Sequence, residues 1–324
     1  MKTVIVKDKK PIIAETPYPL LKSGEIIIKV DYAGMNRADL MQRDGIYPSP
    51  IGWPDIMGLE VSGEVYELSE EAKKNSSFHI GDKVCALLGG GGYSEFVSVP
   101  YELVLSLPKG INTRIGAAIP EVYCTAYLNL FVEGKLQKGE TVYVTAGASG
   151  VGIAVTQLAK AYGAKVITSV RSEEKKQAIK KFGADIIINL KNESLFDVFE
   201  QNSVDLVIDS VGGNDAGKLF SMLNRGGRWI CIATMGGDTS VFDMRIAYKK
   251  ALRLIGSTLR ARTNEVKHDI LSHLSDEFFH LFADGTITPE IYKVFDIEQV
   301  EEAQEEMRNN KNIGKILLHV NHKN

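Results

Sequence analysis

Apolar positions follow two different periods along this chain. Up to about residue 118, short apolar runs such as EIIIKV, LEVSGEVYEL, DKVCALL and YSEFVSV are separated by turns rich in Gly, Pro, Ser and Asn. That pattern predicts a mainly β region. One helical patch from residue 36 to 45 interrupts it, with Asn36 as N-cap and Gly45 as stop. From about Pro120 the texture changes. Continuous β runs, TVYVTA, KVITSV, ADIIIN, VDLVIDS, GRWICIA and LRLIGST, alternate with helical spacing. In the first of these helices Ala154, Leu158 and Ala161 recur at four and three, as one buried face requires. Two further helices are predicted over 173–182 and 216–223. Unalternating strands separated by helices predict a parallel sheet covered on both faces. After about Arg260 come a helix over 266–283, a charged surface helix EQVEEAQEEMRN and a closing strand IGKILLHV.

The run from Thr141 to Ala159 contains no charged residue. A membrane span needs about 20 strongly apolar residues. This run instead holds three glycines with Thr, Ser and Gln, and its apolar residues are small, so no membrane span is expected. With 324 residues, two domains are expected. A formal net charge of −3 and a pI of about 6.1 provide no long-range attraction to nucleic acid or to an anionic membrane, so neither is an expected partner. Cys85, Cys124 and Cys231 make no Cys-x-x-Cys pair. The N-terminus has no apolar signal core, and HVNHKN carries no lipidation or retrieval signal. The expected location is cytoplasmic.

Within the uncharged run, a strand leads into Gly147, Ala148, Ser149, Gly150, Val151 and Gly152, and then into a helix. A strand, a glycine turn and a helix N-terminus together form a site for a dinucleotide pyrophosphate. Backbone N–H groups and the positive helix end bind the anion. Ser149 stands where a middle glycine is usual. At the end of the next strand, an NAD site places a carboxylate; here the chain has Val170, then Arg171, Ser172 and Lys175. No carboxylate at that position repels a 2′-phosphate, and a guanidinium, a hydroxyl and an ammonium are positioned to bind one. NADPH is therefore the expected cofactor, although Glu173 and Glu174 stand close by.

The blocks NRADLMQRDGIYP, MGLEVSGEV, GDKVCALLGGGGYSEFV, AAIPEVYCTAYLNL, AGASGVGIAVTQLAKAYGA and NKNIGKILL occur in order over nearly the whole chain. Together they resemble the medium-chain dehydrogenase/reductase superfamily, and within it the zeta-crystallin-like NADPH:quinone oxidoreductases. The resemblance implies an α/β fold: a GroES-like β-rich catalytic domain, residues 1–118 and 260–324, around a Rossmann domain with a doubly wound parallel sheet, residues 119–259. It implies an active site between the two and a homodimer. It also implies departure from the zinc branch, whose His-Glu pair is replaced here by Leu59-Glu60 and whose structural-zinc cysteines are missing. His268, His273 and His280 are spaced by five and seven, unlike the i, i+4 pair of a metal-binding helix. No metal is expected.

Without a Lewis acid, quinones and α,β-unsaturated carbonyls are the accessible acceptors, because conjugation spreads the charge left by the arriving hydride. The resemblance places Asn36 and Tyr47 at the substrate, as hydrogen-bond donor and general acid, and Thr125 near the nicotinamide. It places Ser210 and Val211, Met235 and Gly236 in TMGG, and Leu259 with Arg260 along the cofactor. Asn312 and Lys315 are expected to touch the cofactor from the other domain. Asn189-Leu190 lacks a tyrosine that many relatives carry beside the adenosine 2′-phosphate. An enoyl-thioester or enone reductase on the same scaffold, or a cofactor-binding relative without catalysis, are the other readings.

Overall fold

The structure is a computed structural model that describes residues 1–322; Lys323 and Asn324, the last residues of the HVNHKN stretch, lie outside it. The chain divides into two compact units. One is Met1–Cys124 together with the chain from Arg260 onward; the other is Thr125–Leu259. The division falls inside the helix Pro120–Tyr127, a few residues beyond the 118/119 boundary of the sequence reading.

In chain order the strands are β1 (Lys2–Lys7), β2 (Lys10–Glu15), β3 (Glu25–Gly34), β4 (Glu60–Leu68), β5 (Lys83–Leu87), β6 (Phe96–Pro100) and β7 (Val104–Ser106) in the first unit. The second unit holds β8 (Thr141–Val144), β9 (Lys165–Val170), β10 (Ile186–Asn189), β11 (Leu206–Asp209), β12 (Arg228–Cys231) and β13 (Arg253–Gly256). The chain then returns to the first unit for β14 (Ile291–Asp296) and β15 (Lys315–His319).

β1 and β2 form a separate hairpin, and the main sheet of this GroES-like unit runs β14-β15-β3-β4-β5-β7, with β6 also on β3. β3 reads EIIIKVDYAG, and Ile26, Ile27, Ile28, Val30 and Ala33 are all buried. It is covered on both faces, which is why its apolar residues do not alternate. β15 lies antiparallel to β3, with Leu318 opposite Ala33, and the Met35 N–H donates to the Ile316 carbonyl at 2.9 Å. This pairing brings the C-terminal strand beside the helix that starts after Asn36. Gly34 is required there: a Cβ would stand 2.4 Å from both the Glu60 Oε1 and the Ala117 carbonyl. The short helix Arg37–Arg43 opens with the Asp39 carboxylate accepting the Asn36 N–H at 2.7 Å.

The second unit is a six-stranded parallel sheet in the order β10-β9-β8-β11-β12-β13. This is the doubly wound Rossmann arrangement. The chain direction across the sheet reverses between β8 and β11, and ligands of such sheets bind beyond the carboxyl ends of those two strands. The helix after β8, Gly150–Tyr162, is capped by the Ser149 hydroxyl, which accepts the Gly152 N–H at 3.0 Å, and it stops at Gly163 with φ 96. Its residues from Gly152 to Ala159 are all buried. A helix buried nearly all round carries little 3.6-residue signal, and Ala161, expected on the buried face, is exposed in the last turn. The helix expected over 173–182 is α-helical over Glu173–Ile179 and tightens to a 3-10 turn over Lys180–Phe182. The long helix starts at Asn264 and ends at Ala283, capped by the Thr263 hydroxyl.

Gly147 lets the phosphate loop cross close to β9. A Cβ there would meet the Thr168 Oγ1 at 2.1 Å and the Thr168 Cβ at 3.0 Å. Gly147→Ala is expected to destabilise the fold by about 1–3 kcal/mol. Adding Thr168→Ala is expected to return part of that loss, since it removes the nearer contacts. Urea midpoints of the two single variants and the double variant check this, and strictly additive losses would contradict the contact.

Candidate active site

In the Rossmann unit the candidate cofactor site forms at the β8/β11 reversal. The Thr145 hydroxyl follows β8 and accepts the Ser210 N–H at 2.9 Å, and the two hydroxyls lie 3.3 Å apart. The buried Asp209 then shapes the turn after β11. Its carboxylate accepts the Val211 and Gly212 N–H groups at 2.8 and 3.0 Å and the Trp229 indole N–H at 3.1 Å. The next loop is tied to this one: the Gly236 N–H donates to the Val211 carbonyl at 2.7 Å and the Gly213 N–H to the Gly237 carbonyl at 3.0 Å. Ser210, Met235 and Gly236 therefore belong to one structured rim, with Met235 half-exposed at 50%. Leu259 is buried in this unit. Thr125 is partly exposed, and its carbonyl accepts the Asn129 amide at 2.7 Å.

The glycine loop fits a pyrophosphate. Ala148 and Gly152 are buried, whereas Ser149, Gly150 and Val151 are partly exposed at the start of a helix whose first N–H groups have no intrahelical partner. Arg171 follows β9 directly and is exposed. Ser172 caps the next helix, its Oγ accepting the Lys175 N–H at 3.2 Å, so the hydroxyl hydrogen remains a donor. Asn189 is buried. Its Oδ1 accepts the Lys191 N–H at 3.2 Å, and Leu190, at the position of the relatives' tyrosine, is exposed.

In the GroES-like unit a buried ion pair organises the candidate substrate residues. The Lys315 ammonium donates to the Glu60 Oε1 at 2.5 Å, the Asn36 Oδ1 at 2.8 Å and the Met35 carbonyl at 2.7 Å. Glu60 is fully buried and Lys315 nearly so. The Asn36 Nδ2 donates to the same Glu60 Oε1 at 3.0 Å, and the Glu121 N–H donates to Oε2 at 2.9 Å. Lysine only donates and a carboxylate only accepts, so the Asn36 amide has one possible orientation. One hydrogen of its NH2 group goes to Glu60. The other makes a long, weak hydrogen bond of 3.4 Å to the Gly34 carbonyl, which an incoming oxygen can replace.

This corrects the role expected for Lys315. An ammonium has three donors, and all three are taken by protein acceptors, so Lys315 sets Asn36 and Glu60 and has none left for a cofactor. Arg260 also turns to protein acceptors. It is buried and donates to the Gly89 carbonyl, the Tyr47 carbonyl, the Gln42 Oε1 and the Ser49 Oγ at 2.7–3.1 Å. Its guanidinium holds the loop that carries Tyr47. The Asn312 amide donates to the Gly314 carbonyl at 2.7 Å, so it shapes the turn into β15. Asn36 and Lys315 come together as one cluster; Tyr47 and Arg260 form another, with the Arg260 Cζ 5.0 Å from the Tyr47 ring centroid.

Two ionisable groups of this unit were missed by the sequence reading. Glu121 is a half-buried residue whose carboxyl pKa is pushed up to about 8, first by desolvation within the protein and then by the neighbouring Glu60 charge. Lys267 is buried with its ammonium 5.8 Å from the Trp53 ring centroid. Burial pulls its pKa below the usual lysine range. Both had a signal. Glu121 is the one charged residue between Arg114 and Glu133. Lys267 precedes Ile270, Leu271 and Leu274 by three, four and seven, which places it on the apolar helix face. Among the described residues no group of three or more His, Cys, Asp and Glu side chains could hold a metal ion, and no helix is long and apolar enough to cross a membrane.

Two domain models match the chain: an alcohol dehydrogenase GroES-like domain over residues 22–109 and a zinc-binding dehydrogenase domain over residues 150–276. The synaptic vesicle membrane protein VAT-1 homolog of Danio rerio is 30% identical over 96% of this chain and 67% of its own length. The chain belongs to the medium-chain dehydrogenase/reductase superfamily. Other members are similar over most of their length. Acryloyl-coenzyme A reductase of Sulfurisphaera tokodaii is 29% identical over 98% of this chain and 99% of its own. The quinone oxidoreductase of Thermus thermophilus, also solved in complex with NADPH, superposes with a TM-score of 0.83 at 25% identity, over 98% of this chain and all of that one. An enoyl reductase, JamJ, shares the fold with a TM-score of 0.84 at 20% identity.

The raised Glu121 pKa has a consequence for stability. The folded protein keeps this proton up to about pH 8, whereas the unfolded chain loses it near the ordinary 4.5. Its contribution is complete below pH 4.5 and is lost as pH rises through 8, with a slope of at most about 1.4 kcal/mol per pH unit. Denaturant midpoints of wild type and Glu121→Gln between pH 5 and 8 test this. Wild type is expected to lose stability relative to the variant as pH rises; parallel curves would overturn the assignment.

Proposed function

We propose that this protein is an NADPH-dependent reductase of quinones or other conjugated carbonyls that works without zinc. The observation that carries the reading is the Asn36 amide, locked by Lys315 and Glu60 with one N–H held only by a long bond to the Gly34 carbonyl. A fixed neutral donor can stabilise a delocalised oxyanion. Carbonyls without conjugation call for a stronger electrophile, and Leu59-Glu60 offers no zinc ligand pair of the alcohol dehydrogenase kind.

Bound NADPH supplies the hydride. The loop from Gly147 to Gly152 holds the pyrophosphate with backbone N–H groups at the start of its helix, and Arg171, the Ser172 hydroxyl and Lys175 receive the 2′-phosphate. Thr125, Ser210, Met235, Gly236 and Leu259 line the remainder of the cofactor. The Asn36 Nδ2–H and the Tyr47 hydroxyl donate to the acceptor's carbonyl oxygen, and Tyr47 delivers the proton that completes the reduction. Similarity to the Thermus thermophilus quinone oxidoreductase supports the quinone acceptor and NADPH. Similarity to acryloyl-coenzyme A reductase over nearly the full length of both chains supports an enoyl-thioester instead, and both acceptors are compatible with the same donors.

Steady-state oxidation of NADPH and NADH with 1,4-benzoquinone, 9,10-phenanthrenequinone and crotonyl-CoA tests the reading. Turnover of one or more acceptors is expected, with NADPH saturating at lower concentration than NADH. Tyr47→Phe is expected to lower kcat by about 100-fold or more. NADPH binding without turnover of any acceptor would sink the enzyme reading, and tighter use of NADH would sink the role of Arg171.

We also propose that the chain works as a homodimer joined through its Rossmann sheet. β13 is an edge strand, and an open edge is a template for a further strand. On it Leu254 is 52% exposed, and in the segment that precedes it Val241, Met244 and Tyr248 are 88%, 75% and 72% exposed. Light scattering is expected to give twice the 35.6 kDa chain mass for wild type and the single mass for Leu254→Lys. A monomeric wild type, or a variant that stays dimeric, would refute this interface.

A further inference from the structure

Tyr47 lies in a stretch, residues 44–59, that contains neither helix nor strand. Backbone bonds hold its two ends, the Ile46 N–H to the Met41 carbonyl at 3.0 Å and the Gly91 N–H to the Ile56 carbonyl at 2.7 Å, and the part between them, which carries Tyr47, must lose its conformational freedom by other means. A catalytic phenol cannot be left free to move, because a displacement of about 1 Å costs on the order of 100-fold in rate. The structure shows what holds it. Arg260 is 4% exposed and directs its guanidinium into the loop from beneath. Nη1 donates to the Tyr47 carbonyl at 3.0 Å; Nη2 donates to the Ser49 Oγ at 3.1 Å and the Gln42 Oε1 at 2.7 Å. Nε and Nη2 both reach the Gly89 carbonyl, at 3.0 and 2.8 Å. Gly89 follows β5 closely, and the Trp53 ring packs on it so tightly that a Cβ would stand 2.5 Å from the Trp53 Cγ. The guanidinium therefore ties a fixed point beside the sheet to three points on and beside the loop.

Gln42 strengthens the tie. It lies in the last turn of the short helix Arg37–Arg43, and its Nε2 donates to the Ser49 Oγ and the Asp55 Oδ1, each at 3.1 Å. The outer residues of the loop need such an anchor, since Ile46 and Ile51 are exposed. A lysine could not replace this hold. Four acceptors around one group match the rigid fork of a guanidinium and not the point charge of an ammonium.

We propose that Arg260 is the positioning residue of Tyr47: it sets where the phenol stands and touches neither cofactor nor acceptor. This rests on the reading of Tyr47 as a donor to the acceptor. It assigns to one arginine the hold on the part of the loop that carries Tyr47.

The test uses Arg260→Lys in the full chain, with Ser49→Ala as a milder variant that removes one partner of the guanidinium and leaves the arginine in place. Amide exchange of peptides covering 42–52 is measured by mass spectrometry, NADPH affinity by fluorescence titration, and kcat and KM with 9,10-phenanthrenequinone, in wild-type and Tyr47→Phe backgrounds. Loss of this charge-assisted network is expected to speed exchange in 44–52 and to lower kcat by roughly 10- to 100-fold in Arg260→Lys. Ser49→Ala is expected to move both in the same direction by less. NADPH affinity is expected to stay within about twofold in both variants, and in the Tyr47→Phe background Arg260→Lys is expected to remove little further kcat, since both changes act through one group. Weakened NADPH affinity in step with kcat would overturn the proposal in favour of a cofactor contact. Multiplying effects of Arg260→Lys and Tyr47→Phe, or unchanged exchange in the loop, would also overturn it. If the wild type turns over no acceptor, the reductase reading fails, and loop exchange alone then decides whether Arg260 holds the loop.

Discussion

A lysine ammonium enclosed in the GroES-like unit sets the arrangement of everything around it. Lys315 and Glu60 are both buried, and each would cost several kcal/mol alone. They are tolerated because every donor of the ammonium and both oxygens of the carboxylate have partners: Met35, Asn36 and Glu121 besides each other. Such a pair contributes little net stability compared with apolar residues of the same volume. Its effect is on orientation. It joins the last strand, the first turn after β3, the start of β4 and the helix that begins at Pro120, and it leaves the Asn36 amide one orientation.

The Rossmann unit solves an equivalent problem without a buried ion pair. At the sheet reversal a single hydroxyl, Thr145, ties the ends of β8 and β11, and one buried carboxylate, Asp209, folds the next turn on itself. The phosphate loop needs no cation, because helix N–H groups and backbone amides carry its positive potential. With the burial of β8 and of the helix that follows, that is the physical reason for the uncharged run from Thr141 to Ala159. The ionic groups that can distinguish cofactors come only after the second strand, at Arg171 and Lys175.

Fold legibility followed the range of the interactions involved. The strand–glycine–helix unit was readable because its capping serine, its turn and its helix lie within a few residues of one another. The β-rich first unit and the doubly wound second one were readable from period and composition. Ala161 was misplaced because a helix buried nearly all round offers no polar face to set the phase. Asn36 and Tyr47 were found through resemblance. Glu121 and Lys267 could have been found from pattern alone, each being a charge set among apolar positions.

By itself the sequence determined the two architectures, their order, the phosphate loop and the absence of an acidic residue after the second strand, because each is written in local spacing and residue type. Tertiary structure decided what the charged residues do. Lys315 and Asn36 are 279 positions apart, and Arg260 and Tyr47 are 213 apart. Nothing local indicates that the first pair shares one buried carboxylate or that the second shares one loop. A cation in a sequence is an offer of donors; only the folded chain shows which acceptors take them, and whether any remain for a ligand.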